Sequence, residues 1–77
     1  MKELIEFIAK ALVDNPDAIT VSEDVDADGT ILVKLAAARE DMGRIIGKQG
    51  RTAKAMRTLL NAKATRENKR AVLQILE

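Results

Sequence analysis

The 77-residue chain contains no cysteine and no histidine. Those two absences together remove disulfide staples, thiolate and imidazole metal sites, cysteine nucleophiles and histidine-based triads. Tryptophan and tyrosine are missing too, and Phe7 is the only aromatic residue. Recognition of nucleobases by stacking on aromatic platforms is therefore not available. The longest uninterrupted apolar run, Leu35 to Ala38, is four residues, far short of the roughly 20 that a membrane-spanning helix needs. Met1-Lys2-Glu3-Leu4 opens an amphipathic stretch rather than the basic-then-apolar pattern of a secretory leader, so a cytoplasmic location is expected. Catalysis would fall to carboxylates and lysines, because Ser22 is the single serine. No pair of them forms a convincing acid–base arrangement, and the chain is read as neither an enzyme nor a cofactor carrier.

What remains is a mixture of 47% hydrophobic and 32% charged residues. The length suits one small domain over residues 1–77. Chains of this size bury only about 60% of their unfolded surface, so the core is thin. The net charge of +1 hides an asymmetry. Residues 1–38 carry three lysines against eight acids, a net of −5, and residues 39–77 carry ten lysines and arginines against four acids, a net of +6. A basic half of this kind points to a polyanion as partner for one face.

Along the chain, Leu4, Ile5, Phe7, Ile8, Ala11 and Leu12 fall on one arc of a helical wheel, mostly opposite Lys2, Glu3, Glu6 and Lys10. Pro16 stops this helix near Asp14. Ile19, Val21 and Val25 alternate with Thr20, Ser22 and Asp24 as in a strand with one buried face, with Glu23 as the odd inward residue. Asp26-Ala27-Asp28-Gly29 is a turn, which makes the next strand, Ile31 to Leu35, an antiparallel partner of the first. Apart from Lys34 that second strand is apolar on both sides, as expected of a central strand. A short helix follows, with Met42, Ile45 and Ile46 on one face and Asp41 as its expected cap. A third helix runs from Arg51 to about Ala62, with Ala53, Met56 and Leu60 inward. Lys63 to Lys69 is a polar exit, and Arg70 to Leu76 forms the last strand, expected to be buried on both sides at its centre. The order is α-β-β-α-α-β. A two-helix connection suits parallel neighbours, which gives strand order 1-2-3 in a three-stranded mixed sheet with three helices on one face, an α+β domain.

The most informative stretch is Met42-Gly43-Arg44-Ile45-Ile46-Gly47-Lys48-Gln49-Gly50-Arg51-Thr52. Two glycines separated by two polar residues, with a helix on each side, let the chain turn sharply and let a phosphodiester approach the backbone. The N-terminus of the next helix presents free N–H groups and the positive end of its dipole to the same space. Lys48, Arg51 and Lys54 add charge beside it. The stretch is not a P-loop. Only three residues separate Gly43 from Gly47, and Gln49 stands where Ser or Thr must hold magnesium. The acidic run Glu23, Asp24, Asp26 and Asp28 lacks the spacing and terminal Glu of an EF-hand and reads as turn chemistry.

Ile45-Ile46-Gly47-Lys48-Gln49-Gly50-Arg51 resembles the GXXG signature of KH domains, which bind single-stranded RNA or DNA. The αββααβ order resembles the type II KH topology, and the length resembles small bacterial stand-alone KH proteins of the KhpA type; the likeness covers essentially the whole chain. The resemblance implies that Gly47, Lys48, Gln49 and Gly50 clamp the backbone of about four nucleotides. Arg44, Arg51 and Lys54 would add charge, Ile45 and Ile46 would support an apolar groove for bases, and Ala71, Val72 and Leu73 are candidates for its far wall. It also implies a homodimer, a larger KH-domain RNA-binding partner, and RNA-chaperone or other post-transcriptional work. One position departs from the pattern. Many KH domains carry a large aliphatic residue three places after the second glycine, and here it is Ala53. Either the helix packs loosely against the first helix, or Phe7 or Met56 fills the volume.

A helix-turn-helix DNA-binding module is the competing reading. Against it, the helix after the turn has no Asn or Gln before Asn61, so reading of bases would rest on Arg and Lys alone. Arg57, Arg66, Lys69 and Arg70 are either further nucleic-acid contacts or solvated surface. Ala55, Leu59 and Ala62 form a separate apolar strip on the third helix, turned away from the sheet, and are the expected dimer contact.

Overall fold

The computed structural model describes residues 1–76; Glu77, which enters the charge balance above, lies outside them. Helix α1 (Lys2–Leu12) leads through a 3₁₀ turn at Pro16–Ala18 into strands β1 (Thr20–Val25) and β2 (Ile31–Ala36). A second 3₁₀ turn, Arg39–Asp41, enters helix α2 (Met42–Ile46), and the turn Lys48–Gly50 joins it to helix α3 (Arg51–Arg66) and strand β3 (Ala71–Ile75). The sheet order is β1-β2-β3, with β2 antiparallel to β1 and parallel to β3. The expected order of elements, the hairpin and the central second strand are all present. Among the described residues no helix is long and apolar enough to cross a membrane.

The helices share one face of the sheet. Val21, Ile31, Val33, Leu35, Ala71 and Leu73 from the strands pack with Ile5 and Ala9 of α1, Ile45 of α2, and Met56, Leu60 and Ala64 of α3. Alternation along β2 follows from this: Ile31, Val33 and Leu35 are buried, while Leu32, Lys34 and Ala36 are only half-buried. The expectation that β2 and β3 are covered on both sides is not met. Leu32 pairs with Val72 across the strands on the uncovered face, and Val72 is 51% exposed. The helices form one layer, and the other face of the sheet, where Ser22, Lys34 and Gln74 line up beside Leu32 and Val72, is left uncovered.

Three local expectations are corrected. On α1 the core-facing residues are Ile5 and Ala9, with Ile8 half-buried, while Phe7 is 76% exposed. The apolar arc is wider than the strip the sheet covers. Helix α3 runs four residues beyond Ala62. Ala64 continues the buried row Met56, Leu60 at i+4 spacing, and Lys63 pairs with Glu67 at 3.3 Å. The helix ends where Asn68 takes a left-handed φ of 56° and the Lys69 N–H donates to Ala64 O at 2.8 Å, a Schellman-type closure. Asp41 does not cap α2; it is 2% exposed and accepts N–H groups from Asp14 (3.4 Å) and Asn15 (3.1 Å). Its preceding backbone is already close to helical, so the side chain is free to hold the α1–β1 connection instead.

Glu23, expected inward, stands opposite Val33 but is exposed, and its carboxylate still has a use. Its Oε1 accepts the Lys2 N–H at 2.9 Å and lies 3.3 Å from the terminal ammonium, which places a carboxylate at the positive end of α1. In the hairpin, Asp26 Oδ1 accepts N–H groups from Asp28 and Thr30, and Gly29 has φ 88°. The Asp28 carboxyl is held below its ordinary value by the hydrogen bond with the Asp26 side chain, then by Thr30.

Candidate nucleic-acid interface

Helix α2 closes on a single hydrogen bond, from Gly47 N–H to Gly43 O at 2.8 Å, and the chain then reverses. Gly47 adopts φ 78°, ψ 171°, a region essentially confined to glycine. Gln49 (φ 58°) and Gly50 (φ 74°, ψ 12°) are left-handed, and the Gly50 N–H closes the turn on Gly47 O at 3.1 Å. The two glycines are not equivalent. A Cβ on Gly50 would meet open space, whereas a Cβ on Gly47 would lie 2.6 Å from Thr52 Cβ and 2.8 Å from its backbone nitrogen, nearer still to Oγ1. Residue type and position alone give Thr52 no role. No spacing rule marks it, since the contact arises from the fold of the turn onto the first turn of α3.

Helix α3 begins at Arg51, directly after Gly50. The Arg51 N–H donates to Lys48 O. No side chain caps the helix, and no acid stands in its first turn. First-turn donors without intrahelical partners are therefore left facing the turn. Residues 42–66 contain seven lysines and arginines and no acid at all. Lys48, Arg51 and Lys54 are exposed, and none joins an ion pair among the described residues. Unpaired cations, an uncapped helix start and a turn with backbone open to approach occupy one corner. Such an arrangement has the chemistry to hold an anion.

The remaining candidates divide. Arg44 is exposed on α2 but is held by Asp14, Nη2 to Oδ2 at 3.1 Å. Ile45 is fully buried in the core rather than on the surface, while Ile46 is half-buried. Ala71, Val72 and Leu73 do share a shallow cleft with α3, whose other lining residues are Arg57 and Asn61. Lys69 is engaged with Glu67 at 3.9 Å, whereas Arg57, Arg66 and Arg70 are in no ion pair among the described residues. At the position after the turn that departs from the KH pattern, Ala53 is buried, as is Met56; Phe7 points away and does not fill that volume.

The strip Ala55, Leu59, Ala62 is exposed, with Leu59 at 51%. Leu59 separates two shallow depressions. One is shared with Arg51, Lys54, Ala55 and Thr58, and the other with Leu4, Ala62, Lys63, Arg66 and Glu67. The apolar strip thus reaches onto α1 through Leu4, which the wheel of α3 alone does not show.

Residues 2–75 match the family described as KhpA/KhpB, KH domain. The chain belongs to that family. The αββααβ arrangement is accordingly a type II KH fold. "RNA-binding protein KhpA" of Clostridium acetobutylicum is 55% identical over 76 residues, covering 99% of this chain and all of that one. The protein of the same name from Caldanaerobacter subterraneus subsp. tengcongensis is 53% identical over the same shares, and that from Halalkalibacterium halodurans is 48% identical over the full length of both. Among solved structures, a chain of Era in complex with MgGDPNP and nucleotides 1506–1542 of 16S ribosomal RNA superposes with TM-score 0.66. At 19% identity, over 96% of this chain and 28% of that one, the likeness concerns the fold alone. The helix-turn-helix reading finds no support, because the two helices belong to a KH domain and the sheet packs against them. The relatives are named for RNA binding and the family is not an enzymatic one.

Proposed function

We propose that this KH domain binds single-stranded RNA by clamping the phosphate backbone at Gly47, Lys48, Gln49 and Gly50. The observation that carries the reading is the turn itself: two glycines at positive φ deliver the chain straight into an uncapped helix N-terminus flanked by the unpaired Lys48, Arg51 and Lys54. The names of the full-length relatives support RNA as the ligand. A backbone clamp with no aromatic platform reads little sequence and binds weakly on its own. Single-stranded DNA is a second ligand for the same reason, since the clamp engages phosphate rather than the 2′-hydroxyl.

Weak single sites gain from linkage, which raises avidity through effective concentration. The half-exposed Leu59 between Ala55 and Ala62 supports a homodimer through α3, and a larger KH-domain RNA-binding protein is the other partner expected. Comparing an unstructured RNA oligomer with a DNA duplex of the same length tests the ligand class. The account predicts binding to the single strand and little to the duplex; preference for the duplex contradicts it.

A further inference from the structure

Two hydrogen bonds and one ion pair tie the connection after α1 to α2. Asp41, just before α2 and almost fully buried, accepts the N–H groups of Asp14 and Asn15 on separate carboxylate oxygens. Pro16 follows and restricts the chain further. The Asp14 backbone is thereby fixed beside α2, and its carboxylate is delivered to Arg44, Oδ2 to Nη2 at 3.1 Å. Arg44 lies in the last turn of α2, three residues before Gly47, the spacing of neighbours on a helix surface.

Among the basic residues around the turn, Lys48, Arg51 and Lys54 have no carboxylate partner among the described residues, and Arg44 has one. Both members of the Arg44–Asp14 pair are exposed, so the contact is open to another anion. A guanidinium presents the same planar fork to a carboxylate and to a phosphate, and one edge of the fork serves one of them at a time. We propose that Asp14 is a built-in competitor for RNA phosphate at Arg44, holding down the affinity of the clamp. This rests on the reading of Gly47–Gly50 as a backbone clamp. On binding, Arg44 exchanges a carboxylate for a phosphodiester, so it contributes less than an unpaired arginine would. An exposed ion pair is weak, so the effect is an attenuation and not a block.

The test is a double-mutant cycle on binding of a labelled, unstructured RNA of about ten nucleotides at about 0.1 M salt. Asp14→Asn keeps the N–H that Asp41 holds and nearly the same volume, and circular dichroism checks its fold; Asp14→Ala is the second variant. Asp14→Asn is expected to tighten binding about threefold to fivefold. In an Arg44→Gln background the same change should alter affinity by less than about 1.5-fold. Unchanged or weaker binding by both Asp14 variants overturns the proposal, since an orienting role for Asp14 gives that sign. Equal tightening with and without Arg44 overturns it too, because repulsion at a distance would then suffice. If the wild type fails to bind the RNA at all, the clamp reading falls first and the proposal with it.

Discussion

Gly47 and Thr52 lie in close apposition, where the exit of α2 meets the first turn of α3. A side chain on Gly47 would collide with the Cβ, Oγ1 and backbone nitrogen of Thr52, and its φ and ψ are those of glycine alone. Gly50 needs its positive φ but has free space around it. Gly47→Ala should therefore destabilise the domain by about 3 kcal/mol, and Gly50→Ala by about 1–2 kcal/mol. Chemical denaturation of the two variants measures the difference; equal losses would show that the collision with Thr52 is relieved elsewhere.

Asp41 holds the α1–β1 connection through two backbone donors while almost wholly buried. Asp41→Ala would leave those N–H groups without their acceptor, at a cost of about 2–3 kcal/mol. Asp41→Asn keeps one acceptor oxygen and should cost less. A melt of Asp41→Ala indistinguishable from wild type would mean that water replaces the carboxylate freely.

How far the sequence is legible depends on whether a feature is local. Gly47, Gly50, the hairpin acids and the strand order follow from residue type and spacing, and the structure has them where the pattern puts them. The burial of β2 and β3 does not, because Leu32 and Val72 look like core residues until the number of helices covering the sheet is known. Phe7 sits on the apolar arc of α1 yet points to solvent, since the width of the covered strip is set by the neighbouring elements. Asp41 reads as a helix cap by position, and its buried role depends on a loop 26 residues earlier in the chain. Thr52 carries no signal, because what defines it is the space that Gly47 leaves.

Binding of RNA should weaken with salt along a shallow line. About three or four phosphates neutralised per domain, at about 0.7 per phosphate for single strands, give a log–log slope of roughly −2 to −3. A slope near zero between low and moderate salt would mean that backbone phosphate is not what the site holds.

Leu59→Asp should leave the fold intact, with stability within about 1 kcal/mol of wild type, because half of that side chain already faces water. The same change should convert a dimer to a monomer, as an aspartate in an apolar contact between two copies is left without a partner. Sedimentation with circular dichroism separates the outcomes, and an unchanged assembly mass would remove α3 from the interface.

The most direct test of the central claim is the affinity of the Lys48→Asp, Gln49→Asp double variant for an unstructured RNA oligomer. Both positions are exposed, Gln49 already has a left-handed φ that aspartate tolerates, and both glycines are kept, so the variant should fold as the wild type does. Two carboxylates would then face the phosphates, and RNA binding should be lost at moderate salt. A folded double variant that binds the oligomer as tightly as the wild type would contradict the clamp.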